Sequence, residues 1–147
     1  MRNPEPTEGT PQPPEPLTGK VAEEWDRMLV RLKDCKTLAT VDAAALYQYC
    51  CLFAETEQLS TRQSEVAVSV DRLEENLSDL EGTELVAAFQ EIGKMRALEF
   101  KYGTAIRQGR MAQRTYLVEF GLTPASRGRV RLPEKPAEDP FGEFDVH

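Results

Sequence analysis

Between residues 18 and 120 the apolar side chains recur every three or four positions, the spacing of one face of an α-helix. From Thr18, a residue type suited to an N-cap, Val21, Ala22, Trp25, Met28, Leu29 and Leu32 define a first stripe and predict a helix ending near Asp34. A second helix is predicted after Thr40, whose side chain can accept from the free amides of the first turn, with Asp42 against the positive end of the dipole. Leu46, Tyr49, Cys50 and Phe53 form its buried face, and the short link KTLAT leaves Leu38 to staple the entry. The first two helices should therefore pack closely, with Trp25, Leu32 and Phe53 in the core and Cys50 and Cys51 at the helix interface.

The stretch STRQSEVAVSVD reads two ways. Valines alternating with small residues look locally strand-like, and the polar STRQS could interrupt a helix. Val66, Val70, Leu73, Leu77 and Leu80 nevertheless fall at alternating spacings of four and three, the seam of a helix facing another helix. Gly82 breaks the run and Thr83 can cap a new helix, along which Leu85, Ala88, Ile92, Met95, Tyr102 and Ile106 continue the seam, with Glu99 at one position. A helix from Thr83 to Phe120 would be about 57 Å long at 1.5 Å per residue. That length predicts an antiparallel hairpin turning at Gly82, and an all-α fold of short N-terminal helices plus a long hairpin. Phe89, Leu98 and Phe100 lie off the seam, and Leu117 and Val118 widen the stripe near its end. Either neighbouring subunits cover them or helices one and two fold back over them. The reading taken is a homo-oligomer, with Leu73, Leu77, Leu80, Leu85, Ile92, Met95 and Tyr102 as its oligomerisation residues.

Composition sets the limits of this picture. Residues 1–16 hold six prolines and no large apolar side chain after Met1, so they are expected to form a disordered arm before a helical domain over 17–131. Residues 132–147 carry five acids against Lys135, with Phe141 and Phe144 as apolar points. This reads as an acidic tail that is disordered when free and is a candidate docking peptide. Aromatic content of 7 % beside 29 % charged residues predicts a modest core. No apolar run is long enough to span a membrane, and the N-terminus lacks the basic start and apolar stretch of a secretory signal, so a soluble intracellular protein is expected. Three cysteines and a single histidine, His147, give no zinc-ligand spacing, and neither a phosphate-binding GxxxxGK[ST] loop nor a triad is present. No catalytic residue, metal site or cofactor is expected.

Charge is distributed unevenly on a chain of net charge -7. Residues 71–99 hold eight acids against Arg72, Lys94 and Arg96, whereas over 101–131 Lys101, Arg107, Arg110, Arg114, Arg127, Arg129 and Arg131 face only Glu119. Arg107, Arg110 and Arg114 line one helical face, and a basic end of this kind suits phosphate contact, although a solvated helix face has the same pattern. The stretch FGLTPASRGRVR adds a reason to prefer the first. Gly121 is placed for a left-handed C-terminal cap, Leu122 can pack back on the last turn, Pro124 stops the helix, and Thr123 can cap a short new turn. Arginines would then be presented at a defined place. The phosphate contacts are assigned first to Arg127, Arg129 and Arg131, with Arg107, Arg110, Arg114 and Lys101 as a second set.

Phe120-Gly121-Leu122-Thr123-Pro124-Ala125-Ser126-Arg127-Gly128-Arg129 resembles the closing stretch of phage terminase small subunits of the cohesive-end, unit-length packaging group. Pro16, Leu17, Ala22 and Trp25, then Leu38, Thr40, Asp42, Leu46, Tyr49 and Cys50, are similar to two further landmarks of that family, in order. The middle of the chain departs from it, lacking the asparagine-proline pair that many members carry. The resemblance implies a non-catalytic subunit that assembles into a ring and binds double-stranded viral DNA at the packaging start. It further implies recruitment and regulation of a terminase large subunit carrying the ATPase and nuclease, in the cytoplasm of the infected bacterial host, with Phe141 and Phe144 as the candidate dock. Two other classes stay open on the residues alone. One is a helix-turn-helix regulator with Lys36 and Thr37 near the groove; the other is a coiled-coil scaffold that touches no nucleic acid.

Overall fold

The computed structural model describes residues 9–125, and among them every regular element is helical. Helix α1 spans Gly19–Asp34, α2 spans Ala43–Glu75 and α3 spans Gly82–Glu119. A 3₁₀ turn, Leu38–Thr40, joins the first two, and another, Leu77–Asp79, precedes α3. The all-helical class and the long hairpin thus stand as expected.

The second helix is continuous through the polar stretch that could have broken it. Its hydroxyls bond back to carbonyls one turn earlier: Thr61 to Glu57 at 3.2 Å, Ser64 to Ser60 at 3.1 Å and Ser69 to Glu65 at 3.0 Å. Polar side chains satisfied in this way leave the helical ladder intact. The valines alternating with small residues lie inside this helix and not in a strand, and Val70 is buried.

Helices α2 and α3 lie antiparallel, in a register marked by side-chain contacts along their length. Tyr116 donates to the Gln48 side chain at 3.0 Å, Gln63 Nε2 donates to the Glu99 carbonyl at 3.3 Å, and Arg96 pairs with Glu74 near the tip. Ile92 is buried, while Leu73, Leu77, Leu80, Leu85, Met95 and Tyr102 are half-buried. Two glycines of α3 make room for side chains of α2. A Cβ on Gly109 would lie 2.5 Å from Thr56 Oγ1, and one on Gly103 would lie 3.0 Å from Gln63 Nε2.

Cap chemistry differs in places from the expectation. Thr18 occupies the N-cap position of α1 with extended backbone, but its side chain makes no cap bond. The N-cap of α2 is Asp42 and not Thr40; its carboxylate accepts from the Ala44 amide at 2.8 Å. Glu81, not Thr83, precedes the first residue of α3, Gly82, whose φ of +59° only glycine adopts cheaply. Helix α1 ends without a glycine. Lys36 takes the left-handed position at φ +60°, its amide bonding Lys33 O at 3.1 Å, while the Thr37 amide bonds Leu32 O at 2.9 Å.

The core sits at the end of the hairpin away from its tip. There Trp25, Met28 and Leu32 of α1 meet Leu46, Tyr49 and Cys50 of α2, and Phe120 and Leu122 close the cluster. Tyr116 and Leu117 pack against it, as does Leu38, the expected staple. Helix α1 packs chiefly on α2 and meets the end of α3 only through this cluster, so it does not reach the tip half of the hairpin. Phe89, Leu98 and Phe100 remain 57 %, 40 % and 72 % exposed, so only part of the off-seam surface is covered within one chain.

Candidate nucleic-acid interface

The basic end is built from the core outward. After Glu119 the chain terminates α3 as the glycine predicted: Gly121 has φ +73°, its amide bonds Val118 O at 3.0 Å, and the Leu122 amide reaches Leu117 O at 3.0 Å. This paired closure is a Schellman motif, with Leu122 folded back on the helix. Phe120 and Leu122 are 3 % and 4 % exposed, and the Tyr49 ring meets Phe120 edge-on at 6.0 Å. Residues 124 and 125 then open a new helical turn, with proline where its missing N–H does no harm. The chain thus enters the arginine-rich stretch from a buried anchor. Arg127, Arg129 and Arg131, like Phe141 and Phe144, lie outside the described residues.

The second basic set is visible. Lys101, Arg107, Arg110 and Arg114 are all exposed on α3, and Arg107 donates to the Thr104 hydroxyl at 3.2 Å. From Lys94 to the end of α3 the cations Lys94, Arg96, Lys101, Arg107, Arg110 and Arg114 face only Glu99 and Glu119, whereas α2 carries six acids against Arg62 and Arg72. One helix of the hairpin is acidic and the other basic. Between them lies a groove of about 300 Å³ lined by Gln63, Arg96, Glu99, Phe100, Gly103 and Arg107.

Beneath the anchor sits a polar group that the apolar pattern did not reveal. Glu24 of α1 is 2 % exposed; its Oε1 accepts from Arg27 at 2.7 Å and from the Tyr49 hydroxyl at 3.1 Å. The carboxylate holds the Arg27 guanidinium above its ordinary pKa through that hydrogen bond, and the guanidinium also lies over the Phe53 ring at 5.1 Å. Burial, followed by the charge of Glu24, raises the Tyr49 hydroxyl and pushes the Cys50 thiol up to about 12. Cys50 is thus a protonated, inert packing residue, and all three cysteines are free. The signal in the sequence was position: Glu24 lies three residues after Val21 and four before Met28, on the apolar stripe, whereas its neighbour Glu23 lies off it and is exposed.

Lys36 and Thr37 do not stand beside a recognition helix. Lys36 forms the α1 terminator and Thr37 is buried, while the N-terminal half of α2 is held between α1 and the end of α3. Among the described residues no three His, Cys, Asp or Glu side chains gather as a metal site, and no helix is long and apolar enough to cross a membrane.

Taken together, the helical hairpin, its buried FGL anchor and its segregated basic half define an all-helical protein whose prominent surface feature is a display of cations. The family model described as "Phage terminase, small subunit" matches residues 22–137, more than half of the chain. The chain belongs to that family. No curated protein and no solved structure matches it.

Proposed function

We propose that this chain is the non-catalytic, DNA-recognising subunit of a phage packaging machine. It binds double-stranded viral DNA at the packaging start, assembles with copies of itself into a ring, and recruits and regulates a large subunit that carries the ATPase and nuclease. Its place of action is the cytoplasm of the infected host. Family membership supports the packaging role. The observation that carries the DNA contact is the exposed cationic half of α3, leading into Arg127, Arg129 and Arg131 directly after a buried anchor.

Assembly is supported by apolar side chains that the hairpin leaves uncovered in its tip half: Val68, Val86, Phe89 and Leu98. Seam residues such as Ile92, Met95 and Tyr102 set the hairpin that presents them, and their half-buried members add area for a neighbour. An acidic α2 beside a basic α3 favours a head-to-tail contact between copies, the arrangement that closes into a ring. Each subunit then needs few phosphate contacts, because tethered copies bind a polyanion together. Phe141 and Phe144 are assigned to the large-subunit dock.

Duplex binding followed by fluorescence anisotropy at several salt concentrations tests the reading. Arg127→Gln, Arg129→Gln and Arg131→Gln together should weaken binding and flatten the salt slope by roughly 0.9 for each phosphate no longer neutralised, with the assembly unchanged in mass. Arg107→Gln, Arg110→Gln and Arg114→Gln should give a smaller change in the same direction. Affinity and slope unaltered in both sets would overturn the assignment of the DNA contact.

A further inference from the structure

We infer that the groove on α3 between Arg96 and Arg107 is the docking site for the acidic, aromatic C-terminal segment of this same chain, residues 138–145. The groove holds about 300 Å³, enough for one aromatic ring, since a cavity of roughly half that volume accommodates benzene. Phe100, 72 % exposed, forms an apolar wall, and Gly103 provides a floor without a side chain. Arg96 and Arg107 flank it about 16 Å apart along the helix. Glu99 is the one carboxylate in the lining, against the two guanidinia of Arg96 and Arg107; Gln63 is held at the groove by donating to the Glu99 backbone carbonyl. Arg96 is paired with Glu74, but the pair is solvent-exposed on both sides and so exchanges readily with a competing carboxylate.

The segment matches this site in charge, shape and reach. Glu138, Asp139, Glu143 and Asp145 surround Phe141 and Phe144, so each ring is accompanied by carboxylates able to meet the flanking guanidinia. Phe141 lies sixteen residue steps beyond Ala125, a reach of about 53 Å, whereas Phe100 lies about 29 Å from the end of α3 along its axis. The segment reaches its own groove with slack, and tethering raises its local concentration to the millimolar range expected of short linkers, of order ~1 mM. Occupied in this way, the groove screens Arg107 and its neighbours from other polyanions and withholds Phe141 and Phe144 from a partner. Only that consequence rests on the function proposed above; the contact itself needs neither DNA nor a large subunit.

Photo-crosslinking in the full-length chain tests the dock. With p-benzoyl-phenylalanine in place of Phe144, irradiation of the protein alone should give adducts within residues 96–107, mapped by mass spectrometry. In a mixture of light and ¹⁵N-labelled chains each adduct should contain a single isotope. Phe100→Ala with Arg107→Glu, both at exposed positions that leave the fold intact, should lower the yield about tenfold. An excess of the synthetic peptide covering residues 134–147 should lower it as well. Adducts joining light to heavy chains would show that a neighbouring copy supplies the occupant and would overturn the inference, as would adducts elsewhere on the chain or a yield indifferent to the double substitution. Absence of the crosslink when the groove is unsubstituted and no peptide is added refutes the dock whatever duplex binding shows, and failure of the duplex assays leaves the crosslink prediction standing.

Discussion

Gly93 and Gly109 sit on the same helix, yet one added methyl group should move stability in opposite directions at the two positions. Both lie inside α3, where replacing glycine by alanine ordinarily stabilises by about 1 kcal/mol. At Gly93 a Cβ would meet nothing within 4 Å, so Gly93→Ala should show that full gain. At Gly109 the new Cβ would lie 2.5 Å from Thr56 Oγ1 and 3.4 Å from its Cγ2. Thr56 is 4 % exposed, and its hydroxyl is fixed to the Leu52 carbonyl at 2.8 Å, so it cannot swing aside without losing that bond. Overpacking of this kind costs about 1–3 kcal/mol, which offsets the propensity gain and leaves Gly109→Ala between neutral and roughly 2 kcal/mol destabilising. The two variants should differ by about 1–3 kcal/mol in urea denaturation at equal protein concentration. Thr56→Ala should relieve the clash, giving a favourable coupling in the double-mutant cycle with Gly109→Ala. If Gly109→Ala stabilised as much as Gly93→Ala, with no coupling to Thr56, α2 and α3 would not approach in this register and the hairpin would be wrong.

The buried polar group and the caps lead to further outcomes. Glu24→Ala leaves the buried Tyr49 hydroxyl without its acceptor and frees the half-exposed Arg27, and should cost about 2 kcal/mol, against about 1 kcal/mol for Tyr49→Phe, in chemical denaturation; equal costs would show that the carboxylate is not the centre of the network. In the unfolded chain the Cys50 thiol ionises near about 8.5, but in the folded protein near 12. The folded state therefore gains from this group fully below its unfolded pKa and loses the gain as pH rises toward the folded value, with Tyr49 acting in the same direction. Melting temperature should fall between roughly pH 9 and 11, and less so in Cys50→Ala; a flat profile in the parent protein would contradict the burial of both groups. Asp42→Ala should cost about 1 kcal/mol by removing the cap bond to Ala44, while Thr18→Ala, which removes no cap bond, should lie within a few tenths.

Much of this architecture was legible because its signals are local. Alternating spacings of four and three placed both hairpin helices in one seam, and Gly82 and Gly121 marked their boundaries through the positive φ each adopts. Where the chain reaches the same geometry with an ordinary residue, as at Lys36, no such mark exists. The choice of Asp42 over Thr40 as cap turned on a shift of two residues, which pattern does not resolve. Continuity through residues 60–66 depended on where each hydroxyl finds its acceptor, and hydroxyls can either break a helix or bond back into it. The close approaches at Gly103 and Gly109 were written only as glycines inside a helical pattern, whose meaning appears when Gln63 and Thr56 stand opposite. For the functional surface, the cationic half of α3 could be read directly, since charge on one helical face needs no tertiary information. The groove against Gln63 could not, because it exists only once the two helices are in register.

Whether several hairpins gather so that few cations per chain act together on a polyanion is tested most directly by the mass of the assembly. Native mass spectrometry of the full-length chain should give one closed species of more than about four identical copies, as expected when head-to-tail contacts close on themselves. A stable monomer under the same conditions would contradict the account, for the cations on one chain would then have to grip DNA alone.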